Sequence, residues 1–389
     1  MSSYISSANN RLYVVKEAAY GIIPAVTQGD RTPFVQLRAT QKVVMPRRRD
    51  KTGSRSYMGV PGTPKRDTSF TVTSHLFGGT SPASTGIGAL LQSAFAGQVL
   101  AFDGARVASS PNPSTIHTTT PHGLSVGQAI TVGDEIRFVS AVLDTATILL
   151  SAPFSGAVSA GSVLGPTVTF NLGDEMPSVS IFDYWDPESA VHRVLFGGGV
   201  DEMKVTINGD FHSLEFSGIA RDMTDSASFE SGEGGIAQFP REPQAGSLAY
   251  DVVPGHLGQI WIGASPTKFC TVTEGSIRLN NSLDARKDEF GCPSPKALLP
   301  GARTVDVGFS LYEQNDAETA ALYQAARQRS PITLTLQLGQ SAGQLCGVHV
   351  PSFIPEVPEF DDSETRLAWK FNASRAQGAS NDELYIAFG

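Results

Sequence analysis

A mainly β fold, α+β by strict count, follows from three observations on the sequence. Glycine and proline number 39 and 24 while helical patterns are few and short, the balance of a turn-rich antiparallel protein. Apolar and polar residues alternate at period 2 in several short runs. One stretch, 303–375, resolves cleanly as strand, helix, strand, strand, strand, which packs as an antiparallel sheet with a helix beside it.

Within that stretch each element has its own warrant. Val305, Val307, Phe309 and Leu311 alternate with Asp306, Gly308 and Ser310, the signature of a strand buried on one face. Asn315 is placed to cap a helix over 316–329, with Glu318 three residues on in a capping-box position. Ala317, Ala320, Ala321, Leu322, Ala325 and Ala326 carry the helix until Ser330-Pro331 ends it. Ile332, Leu334, Leu336 and Leu338 mark the next strand. Two more, near 347–354 and 365–373, flank the acidic turn Asp361-Asp362-Ser363-Glu364.

Earlier in the chain, the apolar run over 12–23 turns at Pro24 and reads as an arm outside the core. Strands are expected over 35–44 and around Phe70, Val72 and Leu76, separated by a loop holding Arg47, Arg48, Arg49, Lys51, Arg55, Lys65 and Arg66. A short apolar helix over 86–97 follows, then strands at 167–172, 203–207 and 211–219, the last two joined by the Asn208-Gly209 turn signal. Set beside the C-terminal run, this order repeats element for element: strand, long loop, strand, helix, strand, strand pair. In the second copy the first strand is 276–281 and the long loop 282–302. An internal repeat decides architecture, and the expectation is two tandem sandwich or barrel domains, each with one flanking helix. Residues 1–104 and 166–223 form the first, discontinuous one, and 269–389 the second. Between them 224–268, rich in Gly, Ser, Pro and Glu, reads as a linker. Residues 105–165 shift to Ser, Thr, Ala, Gly and Pro with short β runs at 129–132, 136–142 and 147–150, which reads as a small inserted β domain. Insertions are tolerated at exposed tips, so it is expected on the outside and to be dispensable for assembly.

Composition excludes several classes. Hydrophobic residues at 40% and charged ones at 17% make a folded chain with a core. A formal net charge of -9 argues against a protein whose main task is gripping nucleic acid. Cys270, Cys292 and Cys346 are odd in number and far apart, supporting neither a disulfide framework nor a zinc site. The polar start, 1–10, gives no signal-peptide expectation, and no run is long and apolar enough for a membrane span.

Catalytic patterns are equally sparse. The seven histidines (His75, His117, His122, His192, His212, His256, His349) form no ligand spacing, so no metal is expected. Gly197-Gly198-Gly199 lacks the lysine-bearing loop-to-helix context of a phosphate cradle and reads as a flexible turn. Asp183, Asp186 and Glu188 around Trp185 read as a turn, and no Gly-x-Ser-x-Gly elbow occurs. Asn280 and Asn372 lie in Asn-x-Ser sequons that matter only on secretion. No active site and no cofactor are expected. The arginine-rich loop is the one pointed electrostatic feature, read either as a solvated loop or as a contact with an acidic surface of another copy or with nucleic acid.

Several blocks carry a family resemblance: Glu17-Ala18-Ala19-Tyr20-Gly21-Ile22-Ile23-Pro24-Ala25, then Arg31-Thr32-Pro33 and Ala39-Thr40-Gln41-Lys42. So do Ala220-Arg221-Asp222-Met223-Thr224-Asp225-Ser226-Ala227-Ser228-Phe229 and Arg278-Leu279-Asn280-Asn281-Ser282-Leu283-Asp284. Together they resemble the major tail tube proteins of long-tailed, siphovirus-type bacteriophages, over most of the chain except 105–165. The resemblance implies a structural virion protein without catalytic activity. Its sheets would join those of neighbouring copies into sixfold rings that stack as a tube, through which viral DNA passes without specific binding. It also implies tape measure, tail terminator and distal tail proteins as partners, no membrane, and a place in the virion tail after assembly in the host cytoplasm. With two tube domains per chain, three chains would make a pseudo-sixfold ring. Arg47, Arg48, Arg49, Lys51 and Arg55 are then expected to contact the neighbouring ring. Uncharged polar residues such as Thr71, Thr73, Thr169, Asn171, Thr333, Thr335 and Gln337 are expected to face water, in the channel. The competing class is a non-enzymatic β-domain adhesin or capsid-decorating binding protein.

Overall fold

The strands that alternate most regularly in the sequence assemble into one antiparallel sheet running through both halves of the chain. In the computed structural model, residues 4–44, 50–56, 59, 65–78, 86–207, 210–244, 252–286, 289–290 and 293–389 are described. The sheet order is Gln36–Val44, Lys65–His75, Ser213–Ala220, Arg193–Ile207, Val272–Asn280, Thr304–Tyr312, Ala368–Ala376 and Glu359–Asp361. The six inner strands each turn one apolar row inward: Phe70 and Val72, Leu214 and Phe216, Met203 and Val205, Ile277 and Leu279, Val305, Val307, Phe309 and Leu311, Trp369 and Phe371 are all buried. That period-2 burial fixes the register, because a one-residue slip would put every one of these side chains in water.

A second antiparallel layer covers the inward rows, in the order Val99–Phe102, Thr167–Asn171, Tyr385–Phe388, Cys346–Ile354, Ile332–Leu338 and Gly258–Gly263. Across the two layers Phe309 meets Phe353 edge to face at 6.4 Å, and the apolar cores of the two halves merge into one cluster. Two findings differ from expectation. The stretch 224–268 is no plain linker, since Gly258–Gly263 pairs with Ile332–Leu338 and brings Trp261 and Ile262 into the interior. The run expected as an arm begins with a core strand: Asn10–Lys16 pairs along its whole length with Val179–Trp185, and Leu12, Tyr13 and Val14 are buried. Its partner lies some 165 residues on, so no local pattern announces the pairing.

Two helices flank the sheets among the described residues. The first, α1 (Gly86–Phe95), is buried on nearly every side. A Cβ on Gly86 would stand 1.8 Å from Thr32 Oγ1 and 2.7 Å from the Asp30 carbonyl oxygen, so glycine is required there by close approach. The second, α2 (Ala317–Gln328), buries only Thr319, Leu322 and Ala326. Its cap is Asp316, whose carboxylate accepts from the Thr319 N–H at 2.7 Å, one residue later than the Asn315 expectation. Arg329 ends it in the left-handed region before Pro331.

Residues 105–165 form a closed six-stranded barrel from Ala105–Asn112, Thr115–Thr118, Ala129–Val132, Glu135–Asp144, Thr147–Leu150 and Val163–Gly165. Val107, Ile116, Ile130, Val139, Ile148 and Leu164 fill it. The chain enters from Val99–Phe102 and leaves into Thr167–Asn171, which pair with each other. The barrel rests on the second layer: Ala129, Ile136 and Phe138 pack on Leu345, Tyr385 and Ala387. Arg137 is fully buried at this contact, donating to Gln337 Oε1 at 2.9 Å, Gln259 Oε1 at 3.1 Å and the Pro153 carbonyl at 2.9 Å. Thr169, Thr335 and Gln337 are therefore enclosed, with at most 1% of their surface exposed, and do not face water as expected. The barrel supplies a second cover that strand periodicity alone cannot reveal.

His349 lies under the same cover. It is stacked 5.2 Å from Phe138, with Nδ1 3.0 Å from Thr335 Oγ1 and 3.1 Å from the Leu334 carbonyl oxygen. Burial pushes its pKa down to about 4. The folded value lies below the unfolded one of about 6.5, so the unfolded chain binds the extra proton first and stability falls as pH drops from about 6.5 towards 4. Urea unfolding at pH 7 and pH 4.5 should show a loss of about 2–3 kcal/mol from this group. His349→Gln should shrink the difference; an unchanged one would mean the ring is not held neutral by its burial.

Candidate assembly surfaces

The outward face of the eight-strand sheet is polar. Arg38, Thr40 and Lys42 on the first strand continue across Ser69, Thr71 and Thr73, Glu215 and Ser217, then Glu202, Lys204 and Thr206. On the second half the row runs on through Ser276, Arg278 and Asn280, then Thr304 and Asp306. Charges on it are mixed and partly paired: Arg278 bridges to Glu202 across the junction of the two halves, and Arg375 lies 3.4 Å from Asp306. Thr71 and Thr73 fall on this face, as expected of water-facing residues.

The two halves meet strand to strand. Glu202 to Ile207 pair one for one with Asn280 back to Gly275. Asn281, just past that ladder, donates its side-chain amide to the Ala94 carbonyl at the end of α1 at 2.9 Å and to the Val200 carbonyl at 3.0 Å. At the two ends of the sheet, among the described residues, Gln36–Val44 and Glu359–Asp361 each pair on one side only. Exposed apolar groups gather at both: Val35, Val43 and Val44 at the first, Val357, Phe360 and Leu367 at the second. Phe360 stacks on Trp369 at 5.5 Å, and Trp369 lies 5.5 Å from Tyr323 of α2, leaving an open groove beside that edge.

Both long loops spring from the same end of the sheet, after Val44 and after Asn280. In the second, Asp284–Ala285 pairs with Leu298–Leu299, Glu289 bridges Arg286 and Lys296, and Phe290 is fully exposed. In the first, Arg47, Arg48 and Arg49 lie outside the described residues, while Lys51 and Arg55 are exposed.

The remaining candidates resolve as framework. Asp183 is buried and accepts from Asn10 Nδ2 at 2.6 Å and Arg193 Nη2 at 2.5 Å, while Asp186 pairs with Arg11 at 2.6 Å. Their carboxylates are thus spent on separate arginines; Glu188 sits in the exposed turn. Gly197, Gly198 and Gly199 belong to Arg193–Ile207, where that strand leaves one partner for another. A Cβ on Gly197, at φ 62, would lie 2.5 Å from the Arg221 Cβ, so a tight crossing explains the glycine. No group of three or more His, Cys, Asp or Glu side chains is placed to hold a metal ion among the described residues. Cys270 is exposed and Cys346 buried, its thiol pushed well up by burial, and Cys292 lies outside the described residues. Among the described residues no helix is long and apolar enough to cross a membrane.

Sequence reasoning missed Glu17. Its buried carboxylate accepts from the Gly21 N–H and Gly197 N–H at 2.7 Å each, from Ser178 Oγ at 2.7 Å and from Ser180 Oγ at 2.6 Å. The residue binds the turn after the first strand to the crossing at Gly197, which accounts physically for a glutamate heading the first of the resemblance blocks. A glutamate followed four residues later by glycine was the available signal.

A comparison with curated proteins returns no match. Among the described residues, then, the sheet has a polar outer face, joins the two half-chains edge to edge and ends in two strands paired on one side. In agreement with that surface, the family model described as phage tail tube protein matches residues 7–382, and the chain belongs to the phage tail tube protein family.

Proposed function

We propose that the chain is the repeating subunit of a tail tube in which each molecule supplies two tube domains, so that three chains close a pseudo-sixfold ring. As a tail tube protein it is a structural component of the virion tail that associates with itself and with other tail proteins. The observation that carries the finer reading is the junction between Arg193–Ile207 and Val272–Asn280. It joins the two halves in the way that ring neighbours would join, and the strand order on either side of it corresponds element for element. The first domain is 1–104 with 166–223, the second 269–389, and the barrel 105–165 stands away from the ring's inner surface. The outward polar face, with its short Ser and Thr side chains and its mixed charges, lines the channel. Such a wall offers no continuous basic stripe for DNA to bind.

Closure decides the count, because the angle at which one tube sheet meets the next sets how many domains complete a turn, whether or not neighbours are covalently joined. Electron cryomicroscopy of purified tubes is expected to show three chains and three barrel-shaped knobs per ring. Six chains and six knobs would mean that the second half is not a tube domain. Arg47, Arg48, Arg49, Lys51 and Arg55 contact the adjacent ring on this reading, since long uncollapsed loops are usually functional. Changing Arg47, Arg48 and Arg49 together to Glu should leave single rings intact while stacked tubes become rare in negative stain. Normal stacking with failed genome delivery would place the loop against DNA instead.

A further inference from the structure

The strand pairing inside one chain specifies, residue by residue, the seam between chains. We infer that the edge ending in Glu359–Asp361 pairs antiparallel with Gln36–Val44 of a second copy, Asp361 opposite Arg38, Phe360 opposite Ala39 and Glu359 opposite Thr40. The inference rests on the ring reading above and sharpens it to one register.

The register follows from ladders already in place. Thr206 and Asp361 hold equivalent positions, because each pairs with the first residue of the returning strand, Ser213 and Ala368. Those residues pair in turn with His75 and Tyr312. Two residues before these, Thr73 pairs with Gln36 and Ser310 with Glu274. Gln36 is therefore the counterpart of Glu274, and Arg38 that of Ser276. Since Thr206 pairs with Ser276 inside the chain, Asp361 of one copy meets Arg38 of the next.

Two independent observations agree with this placement. The first is exposure. At the inner junction Val205 and its partner Ile277 are 0% and 1% exposed, whereas the counterpart Phe360 is 58% exposed and Ala39 only partly buried. The same position is sealed where the neighbour is present and open where it is not. Leu37, Ala39 and Val35 are the apolar row of the incoming strand, and they would cover Phe360 beside the Tyr323–Trp369 groove. The second is charge. In this register Asp361 and Glu359 face a strand edge whose outward residues are Arg38, Thr40 and Lys42, with Glu359 diagonal to both cations. The inner junction carries the same kind of diagonal pair, Glu202 with Arg278. Asp361 accepts from Lys370 through one oxygen at 2.5 Å and from the Ser363 N–H through the other at 3.0 Å, and each carboxylate oxygen has a further lone pair for an arginine. Because the strand's faces are already set by its pairing with Ala368–Ala376, shifting the register by one residue would put inward Phe360 opposite outward Arg38 or Thr40 and Asp361 opposite inward Leu37 or Ala39.

Cysteine pairs read the register directly in the full-length chain. Thr40→Cys with Glu359→Cys, in a background of Cys270→Ser and Cys292→Ser, should give closed three-chain species on mild oxidation of assembled rings. Gln36→Cys with Glu359→Cys should give none. Charge exchange provides a second measure. Arg38→Glu or Asp361→Arg alone should raise the protein concentration needed for ring formation by about tenfold, and combining them should restore most of it. Both edges are exposed, so circular dichroism of the unassembled variants should match wild type. Rings that form normally but cross-link at 36 with 359, or at neither pair, overturn this seam and leave the ring reading standing. A wild-type chain that forms no rings overturns both.

Discussion

Arg137→Met is expected to destabilise the protein by about 3–4 kcal/mol, among the largest effects of any single substitution outside the central core. The guanidinium is fully buried, 3.3 Å from Glu135, and sits between Phe154 and Trp261 with its charged carbon 5.4 and 5.2 Å from their ring centres. Burial lowers its pKa to about 10, the Glu135 carboxylate opposing that shift, so it remains charged at neutral pH. Removing it takes the cation from Glu135, takes a side-chain donor from the Pro153 and Ile136 carbonyls, and leaves Gln337 Oε1 with the Ile136 N–H and Gln259 Oε1 with Ser155 Oγ. Breaking one side of a buried pair costs far more than the pair contributes net. Arg137→Lys should recover little, since one ammonium cannot reach acceptors arranged around a planar fork. An unfolding free energy in urea within about 0.5 kcal/mol of wild type would show that the barrel merely touches the second layer. The same geometry reverses the expectation that residues 105–165 are dispensable. A chain with that segment replaced by a short Gly/Ser linker would present Thr335, Gln337, His349 and Tyr385 to water and is expected to be insoluble. A soluble, assembling deletion would restore the original view.

Glu17→Ala is expected to cost about 3 kcal/mol or more, because it leaves two backbone N–H groups and two hydroxyls facing a void. Glu17→Gln should rescue only part of the loss, since an amide nitrogen would confront donors. Denaturant unfolding should show a lower midpoint with an unchanged slope, the sign of a change in stability and not in the surface exposed. A shift below about 1 kcal/mol would mean that the turn at Gly21 can open to water and resupply those donors.

Legibility in the sequence tracked how local the cause was. Thr304–Tyr312 and Ile332–Leu338 declare themselves by alternation or by a continuous apolar run, and α2 by its alanines and the proline after it. The short β runs at 129–132, 136–142 and 147–150 each became a barrel strand, for β runs separated by short turns are visible without any partner. Asn10–Lys16 was misread because its flanks, Asn10, Arg11, Lys16 and Glu17, are polar; they serve contacts with Asp183, Glu242 and Ser180 far along the chain. Thr335 and Gln337 look like water-facing strand residues, and nothing nearby in sequence says that a barrel inserted some 170 residues earlier will cover them. Of the candidate assembly surfaces, the two long loops stand out in the sequence by length, and the first also by charge. The open edges do not, since an edge is defined by the pairing it lacks.

The sharing of strands between the halves has a mechanical consequence. Thr167–Asn171 belongs in order to the first half, yet it pairs with Tyr385–Phe388 at the very end of the chain, and Arg193–Ile207 pairs with Val272–Asn280 over six successive residues. Pulling the halves apart would shear both ladders at once and tear a common core. A tail that bends or takes up tension during attachment must therefore find its compliance elsewhere. The stiff unit is the whole chain, so in the proposed ring strain would gather at the boundaries between separate molecules.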